Sequence, residues 1–154
     1  MTPKILVIGG TGAQGNAIVH ALSETGKYDI SVLTRNTKSA AAQEVAKIPH
    51  VTLIEGDSSN ADTLRKAFKG VDKCYVNTNG FALGEKDELF WGVKTFELAA
   101  EAGIKHYIWA GLPYPYKRSG YNPKYNVGHL DGKGRVTGKK HHFRSLLDYS
   151  PSGC

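Results

Sequence analysis

The chain has 154 residues, of which 40% are hydrophobic and 22% charged, with a formal net charge of +6, so it predicts one ordinary globular domain. No stretch approaches about 18 consecutive apolar residues, which excludes a membrane span, and residues 1–4 contain no signal-peptide core. The two cysteines, Cys74 and Cys154, exclude a disulfide framework, so we expect a reduced protein of the cytoplasm or nucleus.

The first predicted element is an apolar strand, residues 5–8, that runs directly into a glycine-rich turn and then a helix over 16–22. The turn fits the dinucleotide fingerprint G-x-G-x-x-G and also G-x-x-G-x-x-G, its short-chain dehydrogenase variant. Glycines there permit the tight turn, the approach of a pyrophosphate and close helix packing, and the helix start attracts anions. We therefore predict a cofactor site at Gly9, Gly10, Thr11, Gly12, Ala13, Gln14 and Gly15.

Apolar runs then alternate with helical patterns along the chain. The further predicted strands are residues 28–34, 51–55, 71–77 and 107–110, and the further helices are 38–47, from Asn60 or Asp62 to Gly70, and 85–101. In the last helix, Leu89, Val93, Phe96 and Ala100 share one stripe, which we expect to be buried. The alternation predicts an α/β fold, a doubly wound parallel sheet of Rossmann type with strand order 3-2-1-4-5.

The composition changes after residue 112. Three prolines and four tyrosines within 113–125 predict a loop, and a helix that could begin at residue 129 is weakened by Gly132, Gly134 and Gly138. We predict an NADP-binding domain over 1–138 and a basic, disordered tail over 139–154. The basic cluster is Lys133, Arg135, Lys139, Lys140, His141, His142 and Arg144. Because no aromatic or helical reader accompanies it, a solvated tail is favoured over a nucleic-acid surface.

Several polar residues follow the predicted strands, at the carboxyl edge where such sheets bind ligands. Arg35 stands where an NAD-specific protein keeps an acid for the ribose 2′-hydroxyl, so we expect NADP (NADPH) as cofactor, with its 2′-phosphate on Arg35. Further candidate contacts are Asn36, Lys38, Asp57, Ser58, Thr78, Asn79 and Gly80. For the residues after the third and fourth strands, ordinary turn formation is an equally good explanation.

Five segments together resemble the NmrA-like family of atypical short-chain dehydrogenases. They are Gly-Gly-Thr-Gly-Ala-Gln-Gly at 9–15, Leu-Thr-Arg-Asn at 33–36, Glu-Gly-Asp at 55–57, Ala-Gly-Ile-Lys-His-Tyr at 102–107 and His-Leu-Asp-Gly-Lys-Gly at 129–134. The resemblance covers about residues 3–137 and implies an NADP-preferring Rossmann fold, with Lys133 as a further cofactor contact. Members include redox-sensing regulators and oxidoreductases, several of them from fungal secondary metabolism.

The sequence departs from ordinary short-chain dehydrogenases at the catalytic position. No tyrosine is followed by a lysine four residues later, and Ala110-Gly111 replaces the usual serine. His129 and Lys133 occupy the matching spacing, and His129 could deliver a proton. A histidine that positions the ribose, or is merely structural, is the favoured alternative, and no metal site is expected.

The chain is also shorter than members of the family, so we expect the cofactor half alone, truncated before a substrate lobe. The resemblance implies an oxidoreductase that reduces a carbonyl or enone of a small metabolite; the alternative is a non-catalytic NADP sensor that docks on a regulatory protein. We leave open whether the short chain is an active enzyme. The bare fifth strand would need a protein partner or a second copy of the chain.

Overall fold

The computed structural model describes the backbone of residues 2–147 and the side chains of residues 2–139. The chain divides into two compact units, Met1–Thr78 with Thr95–Ala110 and Asn79–Lys94 with Gly111–Cys154.

The first unit contains a five-stranded parallel sheet with three helices between its first four strands. The strands are β1 (Lys4–Ile8), β2 (Asp29–Thr34), β3 (Val51–Glu55), β4 (Lys73–Val76) and β5 (His106–Trp109), and the helices are α1 (Ala13–Glu24), α2 (Ala40–Ala46) and α3 (Ala61–Phe68). The order β3-β2-β1-β4-β5 confirms the predicted doubly wound topology. Every pairing is parallel.

The core of this unit forms around the central strand. Leu6 and Val7 of β1 are fully buried, as are Val32 of β2 and Val76 of β4, because helices cover a parallel sheet on both faces. Val19 of α1 is likewise fully buried. The apolar runs that predicted β1, β2 and β4 thus lie in the middle of the sheet, whereas β3 and β5 form its edges.

Side-chain caps decide where two of the helices begin. The Ser39 side chain accepts a hydrogen bond from the Ala42 amide at the start of α2, and Asn60 Oδ1 accepts one from Thr63 N at 2.9 Å at the start of α3. Of the two starts predicted for α3, Asn60 is therefore the correct one. Gly70 follows that helix with a positive φ of 71°, as a left-handed terminating glycine does.

Three further helices follow in the described part of the chain, and one of them lies where a loop was predicted. They are α4 (Gly80–Glu101), α5 (Pro115–Arg118) and α6 (Gly128–Leu147), with a 3-10 turn at Pro123–Tyr125. Helix α4 has a short first part from Gly80 and a kink at the non-helical Gly84, where φ is 75°, so its longer part begins at the predicted residue 85. The prediction of a loop over 113–125 was wrong, since prolines at first-turn positions are compatible with short helices.

Helix α6 passes through all three glycines that weakened its prediction, and through residue 138, where the sequence suggested a boundary. A Cβ on Gly134 would lie 2.6 Å from Tyr114 Cβ, and one on Gly132 would lie 2.8 Å from Glu88 Oε2. These glycines therefore permit close packing within the second unit. The remainder of the predicted tail, residues 148–154, lies outside the described residues.

The buried stripe of α4 is one residue earlier than predicted. Of the predicted stripe, Phe96 is buried, whereas Leu89, Val93 and Ala100 are half-buried. Beyond Gly80 at its start, the buried residues of the helix are Glu88, Gly92, Thr95, Phe96, Leu98 and Ala99. Hydrophobic periodicity missed this stripe because its members include a charged residue, a glycine and a threonine.

Among the helices described for residues 2–147, none is long and apolar enough to cross a membrane.

Candidate functional site

The glycine-rich turn links the end of β1 to the start of α1. Gly9 has a φ of 82°, and a Cβ on it would overlap the carbonyl oxygen of Asn77. A Cβ on Gly15 would overlap the carbonyl oxygen of Gly9 and lie 2.7 Å from Gly10 Cα. The fold itself therefore requires glycine at positions 9 and 15.

Gly12 differs from those two glycines. It is exposed and its φ is −86°. Among the atoms of the described residues, a Cβ there would meet only Gly9 O, at an ordinary 3.4 Å. It is the N-cap residue of α1, and the first turn of that helix contains the uncharged Ala13, Gln14 and Gly15. This leaves an open backbone surface at the positive end of a 12-residue helix, which suits a phosphate group.

The ends of β2 and β3 present exposed polar side chains. Arg35 is exposed; Asn36 Oδ1 accepts a hydrogen bond from Lys38 N at 2.9 Å, and Asp57 Oδ1 accepts one from Ser59 N at 2.8 Å. Asn36 and Asp57 thus each form a local turn through one side-chain oxygen. The other oxygen of Asp57 and the amide NH₂ of Asn36 can still contact a ligand.

A carboxylate also lies close to the Arg35 segment. Thr37 Oγ1 donates to Glu55 Oε2 at 2.6 Å, and this hydrogen bond, with a second from the Thr37 backbone, lowers the pKa of Glu55. Glu55 is therefore an anion at neutral pH beside the strand end where we expect a 2′-phosphate.

The residues after β4 contribute to the start of α4. Thr78 is buried, and Asn79 Oδ1 accepts a hydrogen bond from Ala82 N at 3.3 Å, so Asn79 caps the helix. A Cβ on Gly80 would overlap the carboxylate of Glu88. The fold gives Asn79 and Gly80 structural roles whether or not they contact a ligand.

In the second unit, both candidate catalytic residues lie on α6. The ring of His129 stacks on that of Phe81 with centroids 4.4 Å apart and planes inclined by 27°, while Phe81 remains 82% exposed. Lys133 Nζ lies 3.1 Å from Glu88 Oε1, and the two side chains are 10% and 0% exposed. His129 is thus held against an aromatic ring, and Lys133 is held in a buried ion pair.

Of the three residues of the basic cluster whose side chains the structure describes, two are paired with acids. Besides the Lys133–Glu88 pair, Arg135 Nε lies 3.1 Å from Glu85 Oε1 and donates to Tyr114 Oη at 2.8 Å. The Tyr114 hydrogen bond is the main cause that raises the pKa of Arg135. Two of its seven basic residues are therefore paired with acids of α4. Lys139 is exposed, and the side chains of the other four, at 140–144, lie outside the described residues.

Glu88 and Phe81 are not among the site residues predicted from the sequence. Glu88 belongs to the polar run Glu-Lys-Asp-Glu at 85–88, which resembles a solvent-exposed helix start. Its only sequence signal is the spacing to Gly92, Thr95 and Ala99, which places it on the buried face. Within the described part of the chain, no group of three or more His, Cys, Asp or Glu side chains is arranged to hold a metal ion.

The model of the NmrA-like family matches residues 1–146. An NmrA-like family domain-containing protein of Dictyostelium discoideum is 32% identical over 98% of this chain and 48% of its own length. An NmrA-like family domain-containing oxidoreductase of Aspergillus japonicus is 30% identical over 75% of this chain and 36% of its own length.

Solved structures of NmrA, a negative transcriptional regulator, are also similar. One has a TM-score of 0.80 at 26% identity over 94% of this chain and 43% of its own. A second, in complex with NADP, has a TM-score of 0.74 at 25% identity over 90% of this chain and 41% of its own. The chain therefore spans less than half the length of each of these proteins.

Proposed function

The chain belongs to the NmrA-like family, and from this premise we propose that it binds NADP(H) and is the cofactor-binding part of an NmrA-type oxidoreductase. The observation that carries this proposal is the open backbone at Gly12, between two glycines that the fold itself requires. The fold gives no steric reason for a glycine at position 12. A glycine there is explained if the pyrophosphate of a cofactor lies close to the backbone, where a side chain would be in its way.

We assign the cofactor contacts of the first unit to the turn over residues 9–15 and to the strand ends. Arg35, with Asn36 and Lys38, would bind the 2′-phosphate, because an arginine pairs with it through charge-assisted hydrogen bonds. Asp57, Ser58 and Thr78 complete the set in this unit. The proposal is supported by the NADP complex of the similar regulator.

For the second unit we assign the backbone at Asn79 and Gly80 to the cofactor, and Lys133 to the ribose hydroxyls next to the nicotinamide. His129 is the proposed proton donor, since an imidazolium can give its proton to an oxygen that becomes negatively charged during the reaction. When bound, the reduced nicotinamide supplies a hydride to an electrophilic carbon, such as that of a carbonyl or enone in a small metabolite. The substrate class is supported by the relatives named as oxidoreductases.

A second candidate function is a non-catalytic NADP sensor that binds a regulatory protein. The similarity to a negative transcriptional regulator favours it, as does the absence of a Tyr-x-x-x-Lys pair in this sequence. Ile108 of the edge strand β5 is 43% exposed, which gives such a partner an apolar surface in the first unit.

One experiment separates the two functions. Calorimetry measures NADPH binding, and single-turnover absorbance then follows NADPH oxidation against a panel of aldehydes, ketones, enones and quinones. An oxidoreductase oxidises bound NADPH once, even slowly, with at least one substrate, whereas a sensor binds NADPH and oxidises none over the same time. Failure to bind NADPH at all would contradict both.

A further inference from the structure

Lys133 is held by a carboxylate that no sequence motif marks. We propose that Glu88 is a positioning residue: it fixes the Lys133 ammonium where it can bind the nicotinamide-side ribose. This inference rests on the proposed NADP(H) binding and adds a residue to it. All of its elements lie within the second unit.

The geometry restrains the carboxylate from several directions. Glu88 is fully buried, and its Oε1 lies 3.1 Å from Lys133 Nζ. A Cβ on Gly80 would overlap this carboxylate, and one on Gly132, the residue before Lys133, would lie 2.8 Å from Oε2. Two glycines therefore leave just enough space for the carboxylate between the start of α4 and the first turns of α6.

A buried ion pair of this kind is costly to form, because both charges are removed from water. Hydrophobic residues of similar volume commonly stabilise a fold as well or better. A lysine side chain also has several rotatable bonds and loses much entropy when it is fixed. An arrangement that buries both charges, with the Lys133 side chain 10% exposed and the Glu88 side chain 0% exposed, is better explained by the need to place that ammonium.

The neighbouring pair on the same two helices provides the contrast. Arg135 and Glu85 are 38% and 29% exposed and lie 3.1 Å apart, so solvent screens them. A variant without the Glu85 charge therefore shows the effect of removing one acid from α4 while the Lys133–Glu88 pair is retained. Glu85→Gln is the matched control for Glu88→Gln.

The test compares two ligands by calorimetry. NADPH contains the nicotinamide ribose, whereas adenosine 2′,5′-bisphosphate contains the 2′-phosphate and lacks that ribose. We expect Glu88→Gln to weaken NADPH binding about tenfold, since neutralising one partner of a buried pair leaves the other charge without the contact that holds it in place. The affinity for adenosine 2′,5′-bisphosphate should stay within about twofold of wild type. Glu85→Gln should change neither.

A double-mutant comparison tests whether Glu88 acts through Lys133. Glu88→Gln should cost nothing further when added to Lys133→Met. Equal losses for both ligands, or an unchanged affinity for NADPH, would overturn the inference. The ligand comparison is decisive even if Lys133→Met does not fold.

A measurement without cofactor keeps the inference separate from the proposed function. Acylation of Lys133 by an N-hydroxysuccinimide ester, followed by mass spectrometry, should be several-fold faster in Glu88→Gln than in wild type, because the freed amine is more accessible. An unchanged rate would show that Glu88 does not restrain Lys133. If acylation accelerates but wild type binds neither ligand, the proposed function fails, and the assignment of Lys133 to a ribose fails with it.

Discussion

At the scale of single residues, Gly12 and Gly15 are glycines for different reasons. A Cβ fits at Gly12 but overlaps the Gly9 carbonyl at Gly15. We expect Gly12→Val to abolish NADPH binding while its circular dichroism spectrum remains close to that of wild type. Its free energy of unfolding should fall by about 1 kcal/mol, because valine is a poor N-cap residue. Gly15→Ala should instead destabilise the fold by about 1–3 kcal/mol. Thermal melts and calorimetry on both variants check this, and NADPH binding by Gly12→Val would disprove the role of Gly12.

The second prediction at this scale concerns cofactor choice. Arg35 is exposed after β2, and an arginine–phosphate pair contributes about 1.5–3 kcal/mol. Wild type should therefore bind NADPH at least about tenfold more tightly than NADH. Arg35→Ala should lose that preference, while Arg65→Ala, which removes an arginine of α3, should keep it. Equal affinities of wild type for the two cofactors, measured by calorimetry, would contradict the assignment of Arg35.

At the scale of elements, α6 allows helix propensity and packing to be compared directly. Gly→Ala in an exposed helix interior stabilises by up to about 1 kcal/mol. This is expected for Gly138, because the described residues, apart from its own helix backbone, place no atom within 4 Å of its Cβ position. At Gly134 the new methyl group would lie 2.6 Å from Tyr114 Cβ. Gly134→Ala should therefore lower Tm while Gly138→Ala raises or preserves it. A stabilising Gly134→Ala would mean that α6 does not pack closely there.

The starts of β1 and β5 share one acidic partner in the first unit. Asp72 accepts a hydrogen bond from Lys4 N at 3.0 Å and contacts Lys105 Nζ at 3.0 Å. The Lys4 hydrogen bond and then the Lys105 contact lower the pKa of Asp72 below its ordinary 3.8.

The pKa of Asp72 is lower in the folded protein than its ordinary value of 3.8. The ionised carboxylate therefore stabilises the fold above pH 3.8. This contribution is lost as the pH falls through 3.8 towards the lowered folded value. Asp72→Asn should therefore have a slightly lower Tm than wild type at neutral pH, and the difference should vanish in acid. A difference that does not change with pH, in thermal melts across that range, would contradict this origin.

At the scale of the whole molecule, binding and turnover need different amounts of structure. The chain spans 36–48% of the two curated relatives, and positioning a substrate against a cofactor supplies up to about 7–11 kcal/mol of rate acceleration. We expect the 154-residue chain by itself to bind NADPH but not to turn over substrate at a useful rate. Steady-state NADPH oxidation with saturating aldehydes, ketones and quinones checks this. A turnover of about one per second that disappears in His129→Ala would refute it.

The sequence by itself determined the sheet and the position of the glycine turn. Strands such as Val51–Glu55 and the order β3-β2-β1-β4-β5 could be predicted because continuous apolar runs, helical spacing and right-handed crossovers are local or general rules. The same rules place Arg35 and Asp57 at strand ends, since a residue that follows a parallel strand lies at its carboxyl edge.

Only the tertiary structure decided the buried charges and the purpose of the glycines of α6. Whether Glu88 faces solvent or Lys133 depends on a contact between residues 45 positions apart in sequence, measured at 3.1 Å. Gly134 disfavours a helix by propensity, yet it is required there because Tyr114 packs against it. Local patterns contain no term for such contacts, because the free energy of burying a charge or omitting a Cβ depends on what the rest of the chain places beside it.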